Sequence, residues 1–353
     1  MIGTFRLMLA LFVAVFHVGG FPLPFGIYSV MAFYAISGFL MTRVLNDAYL
    51  DNKLKFWCNR FLKLYPQYYI VAIITLIAIV LFPDSAKLFH IAWNIDKSRG
   101  TEFANIFIVP LAFQGFSHFR LVPPTWSLGV EIINYFVLSV FAARSVKCAA
   151  AMLLASALYH GFTLWSGEEW PVRYYPWYAA ALPFALGCIG HFAFESISPE
   201  QLPHRLKVTV CGSALALMAV NFGVACYVGP TVSTSALSWY ANLVLVVISV
   251  GFLATIRPNA FLSRIDRHLG DVAYPVFLTH WLLGFIVSLS FPILKPGTPE
   301  LFLGTLLPLL GLSIALALMF EKILEPIRSL IRGRSRRSNA DAGRALSTRL
   351  PTS

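Results

Sequence analysis

The chain has 353 residues, 58% of them hydrophobic and only 12% charged, with 27 Lys plus Arg against 16 Asp plus Glu for a net charge of +11. A water-facing domain carries about 25% charged residues, so this composition excludes a soluble globular protein and defines a membrane protein. The positive charge falls in short runs between apolar segments and in the tail, which points to anionic lipid headgroups rather than nucleic acid. Five cysteines, at 58, 148, 188, 211 and 226, lack the spacing of a metal site or a disulfide framework, and no metal is expected.

A bilayer core about 30 Å thick needs roughly 20 apolar residues per helix. Ten runs approach that length, at 4–20, 25–45, 64–82, 126–143, 147–165, 177–194, 207–227, 236–256, 271–291 and 301–320. They predict an all-α, polytopic membrane helix bundle of about ten transmembrane helices. The first run holds the polar His17 where an apolar signal core should end, and no clean small-residue cleavage site comes after it, so it reads as a span. Residues 103–116 are also apolar but short and interrupted by Pro110, which predicts a re-entrant or interfacial piece. With the N-terminus cytoplasmic, 21 Lys and Arg fall inside and only Lys87, Lys97, Arg99, Arg120, Arg173 and Lys295 outside. The positive-inside rule therefore predicts two cytoplasmic termini and a large external loop at 83–125. Residues 1–328 form the expected transmembrane domain, and 329–353 a basic, disordered cytoplasmic tail.

An ionisable side chain inside a spanning helix is costly unless paired, so each one is a functional candidate. In the first span Arg6 and His17 are eleven residues apart, about three turns or about 16 Å, and share one face. Before the third span, NRFLKLYP carries Arg60 and Lys63 at i and i+3; they read either as positive-inside anchors or as a grip for phosphates. The fourth run opens with Trp126, Ser127 and, about 7–8 Å below the outer interface, Glu131. His17 is expected at a similar depth, where a carboxylate can orient an imidazole base; Glu131 also suits the positive end of its own helix dipole. In the ninth span GDVAYPVFLTHW places Tyr274 and then His280 near the midplane, where a histidine needs a partner.

Together these segments resemble the acyltransferase-3 family of integral-membrane acyltransferases. RLMLALFVAVFH has the spacing R-x10-H, FYAISGFL resembles the family's second-helix SGF segment with Ser37 in it, and NRFLKLYPQY resembles its R-x-x-R-x-x-P stretch. WSLGVEIINYF matches WSLxVE, GDVAYPVFLTHW resembles the late S-Y-x-x-Y-L-x-H-W run, and LEPIR resembles the closing E-x-P-x-R. Two departures stand out: Lys63 replaces the second Arg of R-x-x-R and loses its bidentate fork, and a single carboxylate, Glu131, stands where Glu-Glu-Gln is common. The residues after the tenth span leave no room for an SGNH-type extension, so the expectation is a stand-alone acyltransferase unit.

The resemblance implies an O-acyltransferase, usually an O-acetyltransferase, in the bacterial inner membrane. It moves an acyl group from cytoplasmic acyl-CoA, with acetyl-CoA as the usual donor substrate and no bound cofactor, to a hydroxyl of an envelope or exported glycan or glycolipid. The expected mechanism has His17 as general base oriented by Glu131, with Arg6, Arg60 and Lys63 holding the donor and Ser37, Trp126, Ser127, Tyr274 and His280 in support. An acyl-enzyme relay on Ser37 or His280 has no support from spacing. A secondary transporter or flippase using intramembrane His and Glu is the rival class; it predicts broken helices related by internal symmetry, and no such repeat is visible. The charge asymmetry makes the topology testable. Reporters fused after residue 340 and within 50–55 are expected to respond as cytoplasmic and one within 95–100 as external; a cytoplasmic 83–125 loop would reverse the assigned sidedness.

Overall fold

Helices form where the sequence places its apolar runs, because backbone amides in hydrocarbon have no partner outside their own helix. The computed structural model describes residues 1–49, 52–94, 105, 107, 108, 120–197, 201–256 and 258–332. The tail beyond 332 and most of the 103–116 segment lie outside these residues. Among the described residues there is no strand, and ten long helices run in order. They are α1 (Ile2–Gly19), α2 (Pro24–Val44), α3 (Lys53–Leu81), α4 (Thr125–Val140), α5 (Val146–Trp165), α6 (Ala181–Ser196), α7 (His204–Val228), α8 (Ala236–Thr255), α9 (Ala260–Ser290) and α10 (Pro299–Arg332). The protein is an all-α polytopic membrane bundle.

Eight of these helices are long and apolar enough to cross a membrane; α4 and α6 have 16 residues each and fall short of the roughly 20 required. The apolar residues expected at the start of α6, 177–180, lie instead in a turn just after Pro176. Other helices outrun their apolar runs. α3 starts at Lys53, where the Asn52 side chain accepts from the Lys55 amide at 3.0 Å, so Arg60 and Lys63 are inside a helix rather than on the approach to one. α9 starts eleven residues early and α10 continues twelve residues late, extending polar turns beyond the apolar core.

Burial sorts the helices into layers. The apolar window of α2 is 78% buried against 17% for that of α7, so α2 is the central helix and α7 faces outward. α2 packs closely on α6: a Cβ on Gly187 would overlap the Ala35 carbonyl oxygen and the Phe39 amide, both backbone atoms that cannot step aside. α1 packs along α9, and the two run in the same direction, since Gly3 meets Asp266 near one end and His17 meets His280 further along. Both pairs are separated by the same 263 positions, so the register holds over the length between them. Asp266 fixes its start by accepting from the Gly3 and Thr4 amides at 3.1 and 2.8 Å, an acidic group on the positive end of α1.

Gly187→Ala is expected to destabilise the protein by about 1–3 kcal/mol through overpacking. Gly212→Ala on the open face of α7, where nothing lies near the added methyl, is expected to be neutral or stabilising by about 0.5–1 kcal/mol. Thermal unfolding of both variants in one detergent checks the contrast.

Candidate active site

The site is built around α1 and α9. His17 is half-buried, while His280 is fully buried in α9. His17 Nδ1 and His280 Nε2 are 3.0 Å apart, the ring planes differ by 3° and the centroids are 5.2 Å apart. Near-coplanar rings at that separation meet edge to edge, so the hydrogen bond lies in the plane of both imidazoles. His280 Nδ1 is in turn 3.3 Å from the Val276 carbonyl oxygen of its own helix. Trp281 packs beside His17 at 5.3 Å between centroids.

His17 lines a cavity of about 70 Å³ whose walls include Trp126, Ser127, Trp170, Tyr174 and Tyr175. The aromatic wall is self-supporting, with Trp126 5.3 Å from Tyr174 and 4.9 Å from Tyr175 between ring centroids. A second cavity of about 60 Å³ holds Arg6, Tyr34, Ser37, Glu131 and Tyr274. Val30, Ser127 and Phe277 belong to both walls, so these three residues form the partition between the cavities. Ser127 is held there from two sides: its hydroxyl donates to the Pro124 carbonyl at 2.9 Å, and its own carbonyl accepts from Tyr34 at 3.3 Å.

Glu131 accepts from the hydroxyls of Ser37 and Tyr135. The expected contact with His17 is not made, because the partner that α9 presents to His17 is His280, and Glu131 faces the Arg6 side of the partition. Tyr135 also lines a larger groove of about 580 Å³ together with Trp57, Arg60, Phe61, Tyr65 and Ile331. Arg60 sits at its edge, with Nη1 3.3 Å from the Met41 sulfur and a buried Nε that has no hydrogen-bond partner among the described residues.

Lys63 is committed to Asp271 of α9 at 2.7 Å, and Arg6 and Arg328 are close enough to act on it electrostatically. Arg328 is itself anchored, donating to Asn59 Oδ1 at 3.0 Å and to Glu325 at 2.7 Å. Asn59 returns a bond to the Arg328 carbonyl at 3.1 Å, so the LEPIR segment is clasped to NRFLKLYP. Tyr274 adds a further tie from α9 to α3, its hydroxyl donating to the Leu64 carbonyl at 2.9 Å. Outside the spans, burial pushes the His90 imidazole, which packs on Trp281, down to about 4.

Tyr135, Asp271 and Asn59 join the site without having stood out in the sequence. Two of them carried a readable signal: Tyr135 is one helical turn beyond Glu131, and Asp271 is an acidic residue at the head of an apolar run, where it needs a cation. His160, which the sequence places near a helix end, lies inside α5 and is bonded by Tyr240 and the Ala179 carbonyl, both at 2.9 Å, as a core histidine.

The described residues form a polytopic helical bundle in which polar groups run from Arg6, Arg60 and Lys63 to the paired His17 and His280. The acyltransferase domain family matches residues 2–321, and the chain belongs to this family, the acyltransferase-3 group of integral-membrane acyltransferases. It is similar to the peptidoglycan O-acetyltransferase OatA of Listeria monocytogenes, with 25% identity over 339 residues. It is also 24% identical over 331 residues to the putative peptidoglycan O-acetyltransferase YrhL of Bacillus subtilis. Each alignment covers 86% of this chain and 51% of the relative, so the chain spans about half the length of these proteins. No solved structure matches it.

Removing one member of the Lys63 and Asp271 pair leaves a partly buried charge alone. Asp271→Ala is therefore expected to lower the melting temperature more than the double variant Asp271→Ala, Lys63→Met. A double-mutant cycle on detergent-solubilised protein should return a coupling of about 1 kcal/mol or more.

Proposed function

We propose that the protein is a membrane-embedded O-acyltransferase, an O-acetyltransferase in its ordinary use, that transfers an acyl group from cytoplasmic acyl-CoA to a hydroxyl of an envelope glycan. The observation that carries this reading is the pair of neighbouring cavities, one holding Arg6 and the other His17, whose walls share Val30, Ser127 and Phe277 among the described residues. A donor with phosphates and an acceptor with a hydroxyl need such opposed chemistry on either side of a short passage. The named activity of the two relatives supports acetyl as the group and peptidoglycan or a similar glycan as the acceptor. The inner membrane is the location where acyl-CoA and an exported glycan are met from opposite faces.

In this reading Arg6 and Arg60 meet the anionic end of the donor, and Lys63, held by Asp271, adds positive potential at the same mouth. Glu131 holds Ser37 and Tyr135 around the inner cavity, through which the acyl thioester reaches the partition. On the far side the aromatic wall of Trp126, Tyr174 and Tyr175 offers flat apolar surface and polar edges to a sugar ring. His17 takes the proton from the acceptor hydroxyl as its oxygen bonds to the acyl carbon. The carbon–sulfur bond then breaks, and the thiolate recovers that proton from the imidazolium.

His17→Ala is expected to insert and fold normally while losing about 100-fold or more of its transfer rate. The assay is transfer of labelled acetyl from acetyl-CoA to glycan by reconstituted protein at matched levels, with mass spectrometry of the product. Near-normal transfer by this variant would sink the assignment. Arg6→Ala and Arg60→Ala are expected to raise the KM for acyl-CoA more than they lower kcat, because contacts remote from the reacting carbon hold ground and transition states alike.

A further inference from the structure

We propose that His280 is a positioning residue that fixes the tautomer of His17, so that Nε2 is the basic nitrogen; this is the part that matching depths would have given to Glu131. The proposal rests on the reading of His17 as general base and adds which atom does the work and what holds it ready.

Hydrogen positions can be assigned along a chain of three groups. His280 Nδ1 faces the Val276 carbonyl oxygen at 3.3 Å, and a carbonyl oxygen only accepts, so the hydrogen of a neutral His280 belongs on Nδ1. The opposite tautomer would aim a nitrogen lone pair at an oxygen lone pair inside a fully buried site. With Nδ1 protonated, His280 Nε2 is an acceptor, and it lies 3.0 Å from His17 Nδ1 in the plane of both rings. His17 therefore carries its hydrogen on Nδ1 and its lone pair on Nε2. That nitrogen has no hydrogen-bond partner among the described residues, and its ring lines the outer cavity.

The same geometry accounts for the proton taken up in the reaction. When Nε2 accepts the hydroxyl proton, His17 bears both hydrogens and its bond to His280 becomes charge-assisted. The two imidazoles are too close to hold two charges, so the pair carries one proton at a time and releases it to the departing thiolate. A neutral imidazole as orienter places no permanent anion in this buried site, where an isolated carboxylate would be costly.

The test uses the full chain in lipid nanodiscs with 15N-labelled histidine, His17 being assigned by difference from His17→Ala. Wild type is expected to show His17 with a protonated Nδ1 and a pyridine-type Nε2. His280→Gln keeps an acceptor oxygen near Nδ1 and is expected to retain that tautomer with a loss of about 10-fold in kcat. His280→Leu removes the acceptor and is expected to give mixed tautomers, with kcat down about 100-fold or more and the KM for donor unchanged. A wild-type His17 protonated on Nε2 overturns the proposal, as does a Leu variant with unchanged tautomer and rate. Equal losses in both variants with the tautomer intact also overturn it, because His280 would then act by another route. An active His17→Ala defeats the base reading itself and leaves the tautomer measurement standing, so the two failures are told apart.

Discussion

Much of the structure depends on the contact of α1 with α9. Two helices that run the same way in a membrane gain little from hydrophobic association, since lipid tails are as apolar as their own side chains. Close approach and directed polar contacts must do the work. At one end the absence of a side chain on Gly3 lets α1 reach the backbone of α9 at Asp266 and Gly270, and the Asp266 carboxylate takes the free amides of α1. Helices are stiff, so a register fixed there is carried upward to His17 and His280. The histidine pair is thus the distal consequence of a glycine and an aspartate near the other end of the same two helices.

α9 is also where the remaining polar machinery converges. Asp271 receives Lys63 of α3, Tyr274 bonds the Leu64 carbonyl of α3, Phe277 forms part of the partition and His280 holds His17. These residues lie along little more than two helical turns. Pro275 sits among them inside the helix, and the Thr279 hydroxyl donates back to the Pro275 carbonyl at 2.8 Å. α9 therefore joins the Lys63 ion pair, the partition and the histidine pair in one element.

Helix number and order are legible in the sequence because a bilayer imposes a length on every apolar run. Helix ends are not. α3 and α9 begin about three turns early, since a helix that leaves the hydrocarbon keeps its backbone bonds and only its side chains change character. Depth along a helix is also legible, and it marks His17, Glu131 and His280 as polar groups inside the bundle. Direction around the helix is not, because it depends on which neighbour packs where. Glu131 and His17 are expected at one depth, yet Glu131 lines the cavity of Arg6 and turns to Ser37 and Tyr135, while His17 lines the other cavity and turns to His280. Lys63 has no visible counter-charge in its own segment because its partner is 208 positions away, on a helix the local sequence does not reveal as a neighbour.

The partition of Val30, Ser127 and Phe277 has a consequence for the cell as an electrical compartment. The cavities on its two sides are small, with room for only a few waters each, and among the described residues Val30, Ser127 and Phe277 are the ones their walls share. Two of the three are apolar, so a file of waters able to conduct protons is interrupted there. In the proposed reaction the two substrates lie on opposite faces of an energised membrane, and an open passage between them would be a proton leak. In that proposed reading the shared side chains form a barrier thin enough for an acyl group to be handed across, and dry enough that the transmembrane proton gradient is not spent in doing so.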